Sequence, residues 1–277
     1  MYAALSALLL AASPPATDTW PGFRGDGSSR TAARGLPLTW SPTENVAWRV
    51  GTPGHGQSAP VVWKDRGRLA VEGDEKETLH VLCYTAADGR RLWQKSYPAT
   101  QRGKNNPMMS RAAPTPVADA DGVYAFFESG DLVALTHDGT ERWRRSLSTQ
   151  FGGFRNNHGL GSSPAQTDRA VLMLVDHQKP SYLPAVNKAD GKDLWKADDF
   201  ARRWEEARRT ATGTLPKPPE GKGPGGSPPL PKEETEAARY AAVGDVVYGV
   251  AAVDGAFFVR TGTELVCVRA TDPAKRP

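Results

Sequence analysis

An all-β fold made of repeated four-stranded units is what the sequence predicts. Three observations lead there. An Asp-Gly pair followed by tryptophan recurs as Asp88-Gly89 with Trp93, Asp138-Gly139 with Trp143 and Asp190-Gly191 with Trp195, always four residues from Gly to Trp. Each recurrence is preceded by small residues and proline that open an apolar run: Ser58-Ala59-Pro60, Ala112-Ala113-Pro114 and Ser162-Ser163-Pro164. Finally, 28 Gly, 23 Pro and 8 Trp in 277 residues suit many short strands joined by tight turns.

The second repeat shows the unit best. Strands are predicted at residues 115–118, 122–128, 131–136 and 141–147, with turns at 119–121, 129–130 and 137–139. Asp-Gly between two apolar runs is a hairpin signal, because Gly supplies the positive φ that the turn needs. A unit of this kind, about 50 residues long, buries neither face alone. Such units stack radially as blades of a β-propeller. Trp93, Trp143 and Trp195 are then expected between blades, as large apolar plates, with Gly89, Gly139 and Gly191 in the turns.

The ends of the chain complete the count. Asp254-Gly255 and the five residues after it repeat the pattern of 121–127, and 261–267 supply a third strand, but no fourth strand follows. An orphan fourth strand lies at 44–50 and carries Trp48. Joining the two closes one blade with strands from both ends of the chain and removes an exposed edge. Four blades are recognisable. Residues 200–239 carry no blade landmark: 200–210 read as a charged helix, and 213–231 hold seven Pro and five Gly, a linker of disordered composition. The expected division is 1–16 leader, 17–199 closing strand and three blades, 200–239 helix and linker, 240–277 last blade. A closed ring of four blades and an incomplete ring both remain open.

Composition excludes several classes. Lys and Arg (35) barely exceed Asp and Glu (31), net +4, and the two signs are interspersed, so no nucleic-acid surface is expected. Past the N-terminus no apolar run approaches the roughly 20 residues of a membrane-spanning helix. Residues 3–12 are apolar and are followed by small residues, which reads as a signal-peptide core cut between 12 and 17. The competing reading is a buried N-terminal helix. Cys83 and Cys267 make neither a disulfide framework nor a metal site.

The repeats resemble those of the pyrroloquinoline-quinone-type (PQQ-like) propeller family, whose signature is Ala-x-Asp-x-x-Thr-Gly-x-x-x-Trp. Ala185, Asn187, Asp190, Gly191 and Trp195 fit it best, with Asn for Asp and Asp for Thr. Residues 83–93 fit more loosely, and 134–143 are one residue short. Trp20-Pro21-Gly22-Phe23-Arg24-Gly25 resembles the start of exported bacterial members. The resemblance covers roughly residues 20–199 and 240–270. No Trp is followed by Asp, which disfavours WD40 repeats. Dehydrogenases of the family hold the quinone with an adjacent-cysteine disulfide, a calcium ion and an aspartate base. Its non-catalytic members, the outer-membrane assembly lipoprotein among them, use the propeller as a docking surface. Cys83 and Cys267 are far apart in sequence and take the third-strand positions that Ala134 and Ala185 take elsewhere, so small-residue packing is the expectation.

In propellers the loops before each first strand open on one face. Here they are 54–57, 102–111 and 151–161, and they carry His55, Gln57, Asn105, Asn106, Arg111, Arg155, Asn157 and His158. Asn and Gly serve tight turns, which is the structural reading of these loops. In the functional reading they form one polar, cationic mouth for a carboxylate, a phosphate or an acidic peptide. His80, His137 and His177 fall at no metal-ligand spacing, so no metal site is expected. No nucleophile elbow, phosphate loop or dinucleotide motif occurs. The sequence therefore predicts a bacterial periplasmic or secreted, non-enzymatic binding or scaffold module. Its expected partner is a protein or a small anion, with no cofactor. The alternatives are a PQQ-dependent quinoprotein dehydrogenase and a truncated remnant of one.

Overall fold

The computed structural model describes residues 18–72, 77–101, 110–154, 160–177, 181–198, 206 and 247–270. The expected leader and linker lie outside the described residues, as does the charged helix apart from Glu206. Strands β1 (Thr19–Trp20), β2 (Val46–Gly51), β3 (Val61–Trp63), β4 (Arg66–Glu72), β5 (Thr78–Thr85) and β6 (Arg91–Pro98) come first. The second repeat gives β7 (Val117–Ala118), β8 (Val123–Phe126), β9 (Asp131–Leu135), β10 (Glu141–Ser146) and the single-turn helix α1 (Leu147–Phe151). Then follow β11 (Ala165–Gln166), β12 (Ala170–Leu172), β13 (Tyr182–Asn187) and β14 (Asp193–Asp198), and finally β15 (Gly249–Val253), β16 (Ala256–Arg260) and β17 (Glu264–Arg269).

These strands make four antiparallel sheets. Blade one has the order β1-β3-β4-β5-β6, blade two β7-β8-β9-β10, blade three β11-β12-β13-β14 and blade four β15-β16-β17-β2. The orphan strand with Trp48 does pair with β17, Trp48 opposite Cys267. The first strand of blade two is shorter than expected. Pro116 has no N–H to give to a ladder, so pairing begins at Val117.

Blade two shows why the middle strands are continuous apolar runs. Tyr124, Phe126, Leu132 and Ala134 pack toward blade three, while Val123, Ala125, Phe127, Val133 and Leu135 pack toward blade one. A sheet covered on both faces has no polar side, and every residue of β8 and β9 is buried. The outer strand β10 (ERWRRS) has no fully buried residue.

Neighbouring blades are keyed together by one repeated contact. The indole Nε1 of Trp48 donates to Ala86 O (3.2 Å), that of Trp93 to His137 O (3.1 Å) and that of Trp143 to Lys188 O (2.8 Å). Each ring lies flat against the next blade's turn glycine. A methyl added to Gly89, Gly139 or Gly191 would come within 2.6–2.8 Å of the Trp48, Trp93 or Trp143 ring. The blades therefore follow the order four, one, two, three.

Trp195, expected between blades like the others, is 46% exposed, with Leu194 beside it at 42%. Among the described residues the one Asp-Gly turn after blade three, Asp254-Gly255, belongs to the first hairpin of blade four and has no ring against it, so this tryptophan has no described seat. The described blades form an arc whose open side is flanked by blades three and four.

The sequence also does not anticipate the path of residues 18–34. Strand β1 pairs with β3, Trp20 opposite Val62. Pro21 O accepts Ala118 N at 2.8 Å, which carries the segment across to blade two. The chain then reaches blade four, where Arg34 N donates to Asp254 Oδ1 at 2.8 Å. The Trp20-Pro21-Gly22 motif thus runs along the inner strands on the concave side of the arc.

Candidate functional site

The loops that precede the first strands meet at one end of the blades. Gly56 N donates to Gly262 O (2.9 Å), joining blade four to the entrance of blade one, and Ser58 N donates to Ala112 O (2.9 Å), joining blade one to blade two. Gln101 bridges to residue 154 in both directions: its Oε1 accepts Phe154 N (2.7 Å) and its Nε2 donates to Phe154 O (2.9 Å). A continuous seam of loops results.

Three of the predicted site residues lie in this seam. His55 is half-buried and packs edge-on against Tyr248, with ring centroids 5.8 Å apart. Gln57 accepts Ser110 N through its Oε1 at 3.0 Å. Arg111 is 6% exposed, donates to Gln101 O at 2.5 Å and lies 4.0 Å from Glu128. It was expected as an anion donor at the loop mouth; its burial makes it a brace between loops, and its removal would take a donor from the part-buried Gln101 carbonyl. Asn105, Asn106, Arg155, Asn157 and His158 lie outside the described residues.

Sequence reasoning missed the most unusual residue of this face. Arg260, the last residue of β16, is 0% exposed. Its Nε donates to Gly56 O (3.3 Å) and its Nη2 to Gly262 O (2.9 Å), while Nη1 has no acceptor. Burial pushes its pKa down to about 10, so it stays cationic at neutral pH. No carboxylate pairs with it among the described residues. A methyl on Gly262 would lie 2.7 Å from His55 Nε2, so His55, Gly56, Arg260 and Gly262 form one tight group. The signal for it in the sequence is a charged residue ending an otherwise apolar strand, 256–260.

Cys83 and Cys267 are both buried and free. They stand in different blades, opposite Trp93 and Trp48 respectively, as Ala134 stands opposite Trp143 and Ala185 opposite Trp195. Burial pushes the Cys267 thiol up to about 11. The two cysteines sit beneath docking tryptophans and do not fit a quinone held over a vicinal disulfide.

Blades keyed by tryptophans seated on Asp-Gly turns define a β-propeller repeat protein of the PQQ-like class. The sequence profile of the family described as outer membrane protein assembly factor BamB matches residues 31–179, more than half the chain, and the chain belongs to that family. No curated protein matches it significantly in sequence. Among solved structures it is similar to the quinohemoprotein alcohol dehydrogenase of Comamonas testosteroni, with 16% identity over 65% of this chain and 27% of that one, and a TM-score of 0.46. It is also similar to a europium-containing methanol dehydrogenase, with 16% identity over 55% of this chain and 27% of that one, and a TM-score of 0.39. BamB from Moraxella catarrhalis gives 11% identity over 80% of this chain and 63% of that one, with a TM-score of 0.35. The chain thus spans about a quarter of the dehydrogenases' length. No helix among the described residues is long and apolar enough to cross a membrane.

Proposed function

We propose that this chain is an exported, non-enzymatic binding or scaffold module whose loop face takes an acidic protein segment or a small anion. Arg260 carries this reading. A guanidinium withdrawn from water and bonded to carbonyls alone keeps an uncompensated positive charge, and such a charge is costly unless an anion answers it. In a low-dielectric surrounding its field reaches the surface around His55 and Gly262 with little screening. Family membership supports a docking role, since the family is described by an assembly factor, and the tryptophan-capped cysteines favour packing over quinone chemistry.

The test is capture from a periplasmic extract with the intact chain and with Arg260→Met in parallel. A partner retained by the intact chain and lost by the variant, in a manner that weakens with salt, is the expected result. Equal capture by both proteins rejects the role of Arg260. Stoichiometric binding of the quinone with turnover of an alcohol would replace the reading by that of a dehydrogenase.

A further inference from the structure

On the concave side of the arc the segment after β1 leaves a cavity of about 350 Å³ against the inner strand of blade four. That volume lies within the range of small-molecule sites. Trp20 and Phe257 supply aromatic walls, and Ala59, Val250 and Ala252 supply aliphatic ones. Arg24, Ser29 and Thr31 bring the polar groups, and the lining holds no carboxylate. None of these residues belongs to the loop-face group, so the site goes beyond the function proposed above.

Two observations mark this cavity as built to hold something. Arg24 and Ser29 both sit at positive φ, 59° and 63°, and they are two of the four non-glycine residues among those described that do so. Such conformations are unfavourable for residues with a Cβ and gather at ligand clamps. The turn that fixes them is closed by Arg24 O, which accepts Gly27 N at 3.2 Å and Ser29 N at 3.1 Å. The second observation is Trp20: it is only 8% exposed, and its ring packs so closely on the turn that a methyl on Gly25 would lie 3.2 Å from it, which fixes this wall of the cavity in place. Arg24 itself has no acidic partner among the described residues; its guanidinium lies 5.2 Å from the ring centre of Phe23, which is 49% exposed.

A cavity with aromatic and aliphatic walls and one cation without an acidic partner selects a ligand with an apolar body and an anionic end. We propose that it binds a small aromatic or aliphatic carboxylic acid. The hydrocarbon part lies between Trp20, Phe257 and Val250, and the carboxylate faces Arg24. A cationic ligand is repelled by the same guanidinium, and a fully polar one gains nothing from the walls.

Calorimetric titration of the full chain with 2-naphthoate and with its neutral counterpart 2-naphthamide tests this. Saturable binding of the acid, at least tenfold tighter than the amide, is expected. Arg24→Gln should weaken the acid about tenfold and leave the amide unchanged. Val250 is 39% exposed, so Val250→Trp can fill the cavity from its open side; it should abolish binding with an unchanged melting temperature. Arg260→Met should leave naphthoate binding intact, which separates this site from the loop face. Equal affinity for acid and amide, binding that survives both cavity substitutions, or binding lost in Arg260→Met would each overturn the proposal.

Discussion

Arg260 and Phe126 occupy the same position in their blades, and both are fully buried. Tyr124 pairs with Ala134, the residue opposite Trp143, and Phe258 pairs with Cys267, the residue opposite Trp48. Two residues further along each strand come Phe126 and Arg260. Where blade two packs a phenyl ring, blade four therefore packs a guanidinium. Replacing a buried charge by an apolar side chain of similar volume is commonly neutral or stabilising, by about 1–4 kcal/mol. Arg260→Met is expected to hold or raise the urea midpoint. A fall equivalent to more than about 2 kcal/mol would mean that the carbonyl bonds to Gly56 and Gly262 outweigh desolvation.

The tryptophans should separate into two groups. Trp143 is seated on Gly191 and bonded to Lys188 O, so Trp143→Ala should cost about 3 kcal/mol, the low end for a large aromatic. Trp195 is 46% exposed and lacks a seat, so Trp195→Ala should cost less than about 1 kcal/mol. Chemical denaturation of the two variants measures the difference. Equal losses would mean that Trp195 is covered in solution.

Glycines at the turns differ in what a side chain would meet. Gly191 and Gly255 share φ values near each other, 73° and 74°. Added to Gly191, a methyl would lie 2.7 Å from Trp143 Cδ2; added to Gly255, it would meet nothing within 4 Å. Gly255→Ala should therefore cost only the left-handed backbone term, about 1–2 kcal/mol. Gly191→Ala should add an overpacking term of about 1–3 kcal/mol. Comparable midpoints for the two variants would contradict the tryptophan seat.

The repeat was legible because its landmarks are local: Asp-Gly, then Trp four residues on, fixes the last hairpin of blades one, two and three from their own residues. The joining of β17 to β2 was legible too, since a blade short of one strand and a strand without a blade leave one solution. What escaped depends on register. Alignment by sequence sets Arg260 against Phe127, but the first hairpin of blade four is tighter, and pairing sets it against Phe126. A shift of one residue turns a strand over, so the face that Arg260 buries could not be read from the string. The path of residues 18–34 escaped for a related reason. Two residues of β1 leave no periodicity, and their partner strand is 42 positions away, as in Trp20 opposite Val62. Arg111 was read as an anion donor because loops usually face solvent, whereas it is 6% exposed and bonded to Gln101 O on a neighbouring segment.

The turn aspartates predict an acid-sensitive fold. Thr136, through its hydroxyl, and Thr140, through its backbone N–H, hold the Asp138 carboxyl down to about 2. Thr85 lowers Asp88 in the same way, and the Lys192 backbone N–H lowers Asp190. The folded values lie below those of an unfolded chain, so the folded state binds fewer protons. The contribution is therefore complete above about pH 4, the ordinary aspartate value. It falls away as pH drops through that value toward 2. Thermal melts between pH 5 and 2 should show stability declining over this window. Asp138→Asn, which keeps a side-chain acceptor but cannot titrate there, should flatten part of the decline. An unchanged pH profile in that variant would show that the turn carboxylates do not govern acid unfolding, and that groups away from the Asp-Gly turns do.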